Sequence, residues 1–195
     1  MPNFSADSSD GKAVWEILGN GENGLVSQIS EIRSISEDFG DGIFVHSSAK
    51  IGDFVRIEGP AYIGKNAEVR HGALIRKGSW ICEEAIVGHC SEIKNSILLP
   101  YSKAPHFNYV GDSIVGFGVN LGAGVKLSNF RNDGGLVYSK MGDSRINTGL
   151  RKMGALIGDG SKLGCNVVTN PGAIICPNSS IAPNETISGW FDSRS

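Results

Sequence analysis

From Val45 onward every sixth residue is aliphatic, in the order Val45, Ile51, Ile57, Ile63, Val69, Ile75, Ile81, Val87, Ile93 and Leu99. Four residues after each of the first nine stands a side chain that is mostly small, from Ala49 and Val55 through Ala61, Ala67 and Ala73 to Ile97. The phase returns at Val115, Leu121 and Leu127, then at Ile157, Leu163, Ile175, Ile181 and Ile187, with Thr169 breaking the last run. A helix repeats its apolar positions at 3.6 and a lone strand at 2. A period of six fits a short strand plus a turn, with one bulky side chain turned inward per face and a small one near the corner. Three such faces close an 18-residue coil, and successive coils stack at the strand spacing of roughly 4.8 Å. The pattern therefore predicts an all-β, single-stranded parallel β-helix of hexapeptide repeats over residues 45–190. Its handedness is left open by the period, since parallel crossovers are ordinarily right-handed.

Residues 1–44 lack the period of six. Leu25, Ile29 and Ile32 fall at helical spacing there, so a short N-terminal helical segment is expected to cap the first coil, whose open strand edges need cover. Trp190 and Phe191 are expected to cover the last coil. The repeat is interrupted twice, and excursions from a regular scaffold are where function concentrates. Leu99 and Val115 are sixteen residues apart, four more than two repeats, which reads as an insertion near 100–112. A second insertion covers about 128–154, and packing against a second subunit is expected of it.

Twenty-seven glycines, about twice the ordinary usage of roughly 7%, agree with a turn-dense β architecture. The net charge of −2 leaves no electrostatic footprint for nucleic acid or an anionic membrane, so a bound anion must be met by a few placed cations. No apolar stretch approaches the ~18 residues of a membrane span, and without a basic region followed by an apolar run near Met1 no signal peptide is expected. The four cysteines form no C-x-x-C pair, and four reduced thiols in a cytoplasmic protein are expected. Residues 18 apart share a face, which stacks Glu58, Arg76 and Lys94 in one column. That column is either solvated surface charge neutralised by Glu58, or a clamp whose two like charges are relieved by a bound phosphate. His71 and His89 are also 18 apart. The γ-class carbonic anhydrases, which share this kind of repeat, use two histidines separated by four residues, and no such pair exists here. No metal is expected.

The segments Pro105-His106-Phe107-Asn108-Tyr109-Val110-Gly111-Asp112 and Val119-Asn120-Leu121-Gly122-Ala123-Gly124 carry a closer resemblance. They resemble the acetyltransferase domain of bacterial bifunctional N-acetylglucosamine-1-phosphate uridylyltransferase/glucosamine-1-phosphate acetyltransferase. Archaeal sugar-1-phosphate nucleotidylyltransferase/acetyltransferases look closer still, through Thr148-Gly149-Leu150-Arg151-Lys152-Met153-Gly154 and the residues to Asp159. The resemblance implies a left-handed β-helix, a homotrimer, and acetyl-CoA as co-substrate. It implies His106 as the general base toward the sugar amine, a task suited to imidazole, with a backbone N–H near Ala123 steadying the oxyanion. By the same resemblance Arg76 and Lys94 bind the phosphate, and Tyr109, Asn120, Asn129 and Lys152 bind the sugar. The coenzyme lies near Ala123, Cys165 and Pro183, between subunits. Three departures stand out. Asn129-Phe130-Arg131-Asn132 replaces an asparagine-tyrosine-aspartate-glycine run, Cys165 replaces a serine, and Pro183 replaces an alanine. Residues 1–44 are too few for a uridylyltransferase domain, so a separate nucleotidyltransferase is a possible partner. The expected function is N-acetylation of an amino-sugar 1-phosphate; the alternative is a catalytically silent sugar-nucleotide-binding or trimerising scaffold.

Overall fold

The computed structural model describes residues 13–32, 37–38, 40–141 and 144–193. Short parallel strands build three sheets that wrap around one core, consistent with the expected left-handed β-helix. The chain visits the three faces in strict rotation, so each strand hydrogen-bonds to the strand one coil before and one coil after it. Seven coils begin near residues 43, 61, 79, 96, 113, 155 and 173. An eighth strand, Trp190–Phe191, closes the first face.

Inward positions of the hexads stack in columns. On the first face Val45, Ile63, Ile81, Leu98, Val115, Ile157 and Ile175 lie in register, ending on Phe191. On the third, Ile57, Ile75, Ile93, Val110, Leu127, Thr169 and Ile187 do the same. Each fully buried aliphatic contributes about 1.5–3 kcal/mol, so stability accumulates coil by coil. Small residues such as Ala67, Ala85, Ser79 and Ser96 are buried at the corners, and the serine hydroxyls satisfy corner carbonyls, as Ser96 Oγ does to Lys94 O at 2.8 Å.

The register corrects the expected first insertion. Residues 100–112 are not an excursion. Lys103–His106 and Tyr109–Gly111 are ordinary strands of the second and third faces, and Ala104 and Val110 are inward residues. Leu98, rather than Leu99, continues the column from Ile81. The apparent gap comes from two missing residues. At the corner leading from the third face back to the first, coils three and four turn with one residue fewer than their neighbours. Asn95 (φ 45°) and Asp112 (φ 46°) each carry that tighter turn in a left-handed conformation.

The second excursion is a true insertion. It leaves after Leu127, forms the antiparallel hairpin of Tyr138–Met141 with Ser144–Asn147, and re-enters the helix at Ala155. The excursion lies on the coils of its own chain. Ser139 Oγ donates to Gly172 O at 3.0 Å, and a Cβ on Gly172 would stand 2.4 Å from Tyr138 O.

The N-terminal segment comprises a 3-10 turn, Val14–Leu18, and a helix, α1, Leu25–Ser30. It lies along the flank of the β-helix, not across the mouth of the first coil. The outward positions of the first face explain this, because Tyr62, Trp80, Ile97 and Ile114 make an apolar stripe where other faces are polar. Trp15, Ile17, Leu18, Leu25 and Ile29 bury themselves against that stripe together with Val137 and Met153. At the N-terminal mouth Glu37–Asp38 pairs antiparallel with the first strand, while Ile51 remains 42% exposed. At the other end Phe191 packs on the core as expected, and Trp190 faces outward and is exposed.

Candidate functional site

The shortened corners make a cleft. Removing one residue from each of two successive turns draws Asn95 and Asp112 into one column, and Asn129 joins it where the excursion departs. Asp112 is 4% exposed. Its carboxylate accepts from Lys94 Nζ at 2.8 and 3.1 Å, from Asn95 Nδ2 at 2.8 Å, and from Asn129 Nδ2. A cleft of about 830 Å³ opens beside this network.

Five of the expected substrate-binding residues line it: Arg76, Lys94, Tyr109, Asn129 and Lys152. They come from coils two to five and from the end of the excursion, more than seventy positions apart in the chain, so the convergence is a property of the fold. Arg76 stacks on Lys94 in the register, and Glu58 lies below it, as the 18-residue spacing predicts. The lining carries the cations Arg76, Lys77, Lys94, Arg151 and Lys152 against one carboxylate, Asp112, in a chain whose net charge is −2. Two of these cations are held by carboxylates. Arg76 meets Glu92 at 2.9 Å and Glu58 at 3.7 Å, while Lys94 meets Asp112. Lys152 stands over the Phe130 ring at 5.9 Å, and the backbone bridge between these two residues brings the excursion's start and end together. Burial, followed by the charges of Glu92 and Asp112, pushes the Tyr109 phenol above its ordinary range, against a lowering hydrogen bond with Asn129. It therefore stays protonated at neutral pH and can donate to a ligand. Gly111 makes room for this pair, since a Cβ there would stand 2.6 Å from Tyr109 Oη and 2.7 Å from Asn129 Nδ2.

His106, Ala123, Cys165 and Pro183 form a second group. They occupy the corner between the second and third faces, on successive coils. Gly124 N donates to His106 O, Asn166 N to Ala123 O, and Asn184 N to Cys165 O, each at 2.8–2.9 Å. His106 is exposed there, three residues before Tyr109 and across the third face from the cleft. Coil-to-coil bonds run through Gly122 N and Gly124 N on either side of Ala123. Asn120 begins the second-face strand of coil five, exposed and in register with Lys103 and Lys162, outside the cleft lining. His71 and His89 stack at 5.5 Å between centroids, flanked by Phe54 and Phe107; among the described residues no group of three potential metal ligands forms. No disulfide joins the cysteines, and burial pushes the Cys82 thiol up to about 12. No helix among the described residues is long and apolar enough to cross a membrane.

Asp112 and Asn95 were missed as site residues. The signal for Asp112 was its place at the end of the quoted His106–Asp112 motif, 18 positions after Lys94.

Fold and cleft together define a β-helix of the hexapeptide-repeat type with a basic inlet at one corner. The chain belongs to the family described as the GMPPB C-terminal domain, whose model matches residues 57–189. A bifunctional sugar-1-phosphate nucleotidylyltransferase/acetyltransferase of Sulfurisphaera tokodaii is 36% identical over 163 residues, covering 74% of this chain and 41% of its own. The bifunctional protein GlmU of Methanococcus aeolicus is 37% identical over 188 residues, covering 87% of this chain and 44% of its own. The chain thus spans less than half the length of these curated relatives. Among solved structures, a putative acetyltransferase of Bacillus cereus superposes with a TM-score of 0.41 at 18% identity, covering 73% of this chain and 70% of its own.

Proposed function

We propose that this chain transfers the acetyl group of acetyl-CoA to the amine of an amino-sugar 1-phosphate of the glucosamine-1-phosphate type. It acts as a cytoplasmic homotrimer, with nucleotidyl transfer left to another protein. The observation that carries the reading is the meeting of Arg76, Lys94, Tyr109, Asn129 and Lys152 in one cleft. Arg76 and Lys94 take the phosphate, while the Tyr109 hydroxyl, Asn129 and Lys152 take the sugar, Asn120 joining them from a neighbouring copy. His106 accepts a proton from the amine as its nitrogen attacks the thioester carbonyl. The C–N bond forms and the oxyanion is met by the Ala123 N–H. The C–S bond then breaks, and the coenzyme leaves as thiol with the proton returned by His106.

The base and the cleft lie at opposite edges of the third face, which supports a site completed by a second copy. One chain's His106 corner, with Ala123, Cys165 and Pro183 for the coenzyme, meets the next chain's cleft. A silent sugar-nucleotide-binding or trimerising scaffold is the second reading. The pairing of Arg76 and Lys94 with Glu58, Glu92 and Asp112 favours it, because a bound phosphate must compete with carboxylates already in place.

Thiol release from acetyl-CoA, measured against a panel of amino-sugar phosphates and nucleotide-linked amino sugars, separates the two. The enzyme reading expects release that falls at least ~100-fold in His106→Ala with the melting temperature kept, since the ring is exposed. Ligand binding without any release establishes the scaffold instead.

A further inference from the structure

One wall of the cleft is made by neither the hexad repeat nor the excursion. Leu18, Gly19, Asn20 and Val26 line it, with Leu150 against Gly19, and all four lie outside the residues 57–189 that the family model matches. The wall is firmly seated. Trp15, Ile17, Leu18, Leu25 and Ile29 are at most 8% exposed, anchoring both ends of the loop that presents Asn20. The loop itself is closed on its own backbone. Gly19 N donates to Glu16 O at 2.9 Å and Gly24 N to Gly21 O at 2.8 Å, while Gln28 Nε2 donates to Asn23 O at 2.8 Å. A side chain at position 24 would put its Cβ 2.2 Å from Gly19 O, so the fold-back needs glycine there. The wall is also joined to the charged floor. Asn95 Nδ2 donates to Leu18 O at 2.9 Å and, through the same amide, to Asp112 Oδ1 at 2.8 Å. The carboxylate that holds Lys94 and the carbonyl that ends the 3-10 turn therefore share one side chain.

We propose that Leu18, Gly19, Asn20 and Val26 form the acceptor-selecting wall of the cleft, with Asn20 reading the uncharged part of a phosphorylated sugar while Arg76 and Lys94 hold its phosphate. This rests on the acyl-transfer reading above. The chemistry assigns the roles. Five cations suit an anion and discriminate poorly among the groups attached to it. Asn20 is exposed at the mouth and offers a donor and an acceptor together, which matches hydroxyl groups in a particular arrangement. Leu18 and Val26 exclude water beside it.

The test measures the Michaelis constants for acceptor and acetyl-CoA separately. It also titrates glucosamine 1-phosphate and uridine-diphosphate glucosamine calorimetrically, which needs no turnover. For Asn20→Ala the acceptor KM and the dissociation constant rise about fivefold, the value of one neutral hydrogen bond, with kcat and the acetyl-CoA KM unchanged. Asn20→Trp, which fills the mouth from an exposed position, abolishes acceptor binding at an unchanged melting temperature. Asn23→Ala, on the same loop but outside the lining, changes nothing. Unchanged acceptor constants in both Asn20 variants, an equal change in Asn23→Ala, or a wild-type chain that binds neither compound would overturn the wall. Absence of thiol release with acceptor binding intact refutes acyl transfer alone, and the titrations then decide the wall by themselves.

Discussion

Replacing Asp112 by alanine tests whether the corner network is the structural hinge of the site. The carboxylate is 4% exposed, and the Lys94 side chain it holds is 17% exposed. Its removal leaves the ammonium without a counter-ion and takes one acceptor from each of the Asn95 and Asn129 amides, which keep Leu18 O and the Tyr109 hydroxyl. Breaking a buried ion pair from one side costs about 3–5 kcal/mol, and each amide N–H that loses its acceptor adds up to about 1–3 kcal/mol unless water reaches it. The cleft admits water, so the ion-pair figure sets the scale at ~3–5 kcal/mol. For a chain of this size each kcal/mol moves the melting temperature by about 2–4 °C, giving a fall of roughly 6–20 °C. Circular dichroism during thermal unfolding, at a matched protomer concentration, reads the change. The companion variant Lys94→Met removes the other charge. In Lys94→Met/Asp112→Ala no lone ion remains, so the double variant should be more stable than Asp112→Ala by about 2 kcal/mol or more. A loss under about 1 kcal/mol in Asp112→Ala, or strict additivity in the pair, would refute the argument that this carboxylate is the buried centre of the network.

Three further outcomes follow from the packing and the assembly. Leu98→Ala should cost about 2–5 kcal/mol by urea denaturation because Leu98 is fully buried in the core, whereas half-buried Leu99 should cost clearly less; the reverse order would restore the uninterrupted hexad register. Thr169 fills an inward position with 0% exposure, and among the described residues its hydroxyl finds no partner, so Thr169→Val should raise stability by about 1–2 kcal/mol in the same titration. Co-expressed His106→Ala and Lys94→Ala chains, each inactive alone, should regain part of the thiol release in mixed oligomers, and no recovery would confine the site to a single chain.

The repeat was legible because inward side chains must be large and apolar at every coil, and a period of six leaves no other arrangement. It misled at Leu99 because an aliphatic residue stands at both 98 and 99, so counting bulky residues did not reveal the slip. The corner residues held the answer. Ser79, Ser96 and Ser113 are all fully buried at the same corner and are seventeen apart, which is the shortened turn written in small side chains. The stacking of Arg76 and Lys94 followed from coil arithmetic, whereas the motif that ends on Asp112 marked the residue without showing that the tighter turn brings it beside Asn129. Helical spacing identified the segment at Leu25. Its docking site was written elsewhere, in the outward aromatic and aliphatic residues from Tyr62 to Ile114, one per coil.

The coat on the first face has a bearing on assembly. With Trp15, Leu25 and Ile29 pressed on its outer side around Trp80, Ile97 and Ile114, and Val137 and Met153 of the excursion beside them, the middle coils of that side are already spoken for by the chain's own polypeptide. In the homotrimer proposed above those coils are closed to a neighbouring copy, which leaves the other two sides, with the imidazole corner and the basic inlet, for contact. The element that shapes the ligand's entrance would in this way also dictate which way each prism turns toward its neighbours.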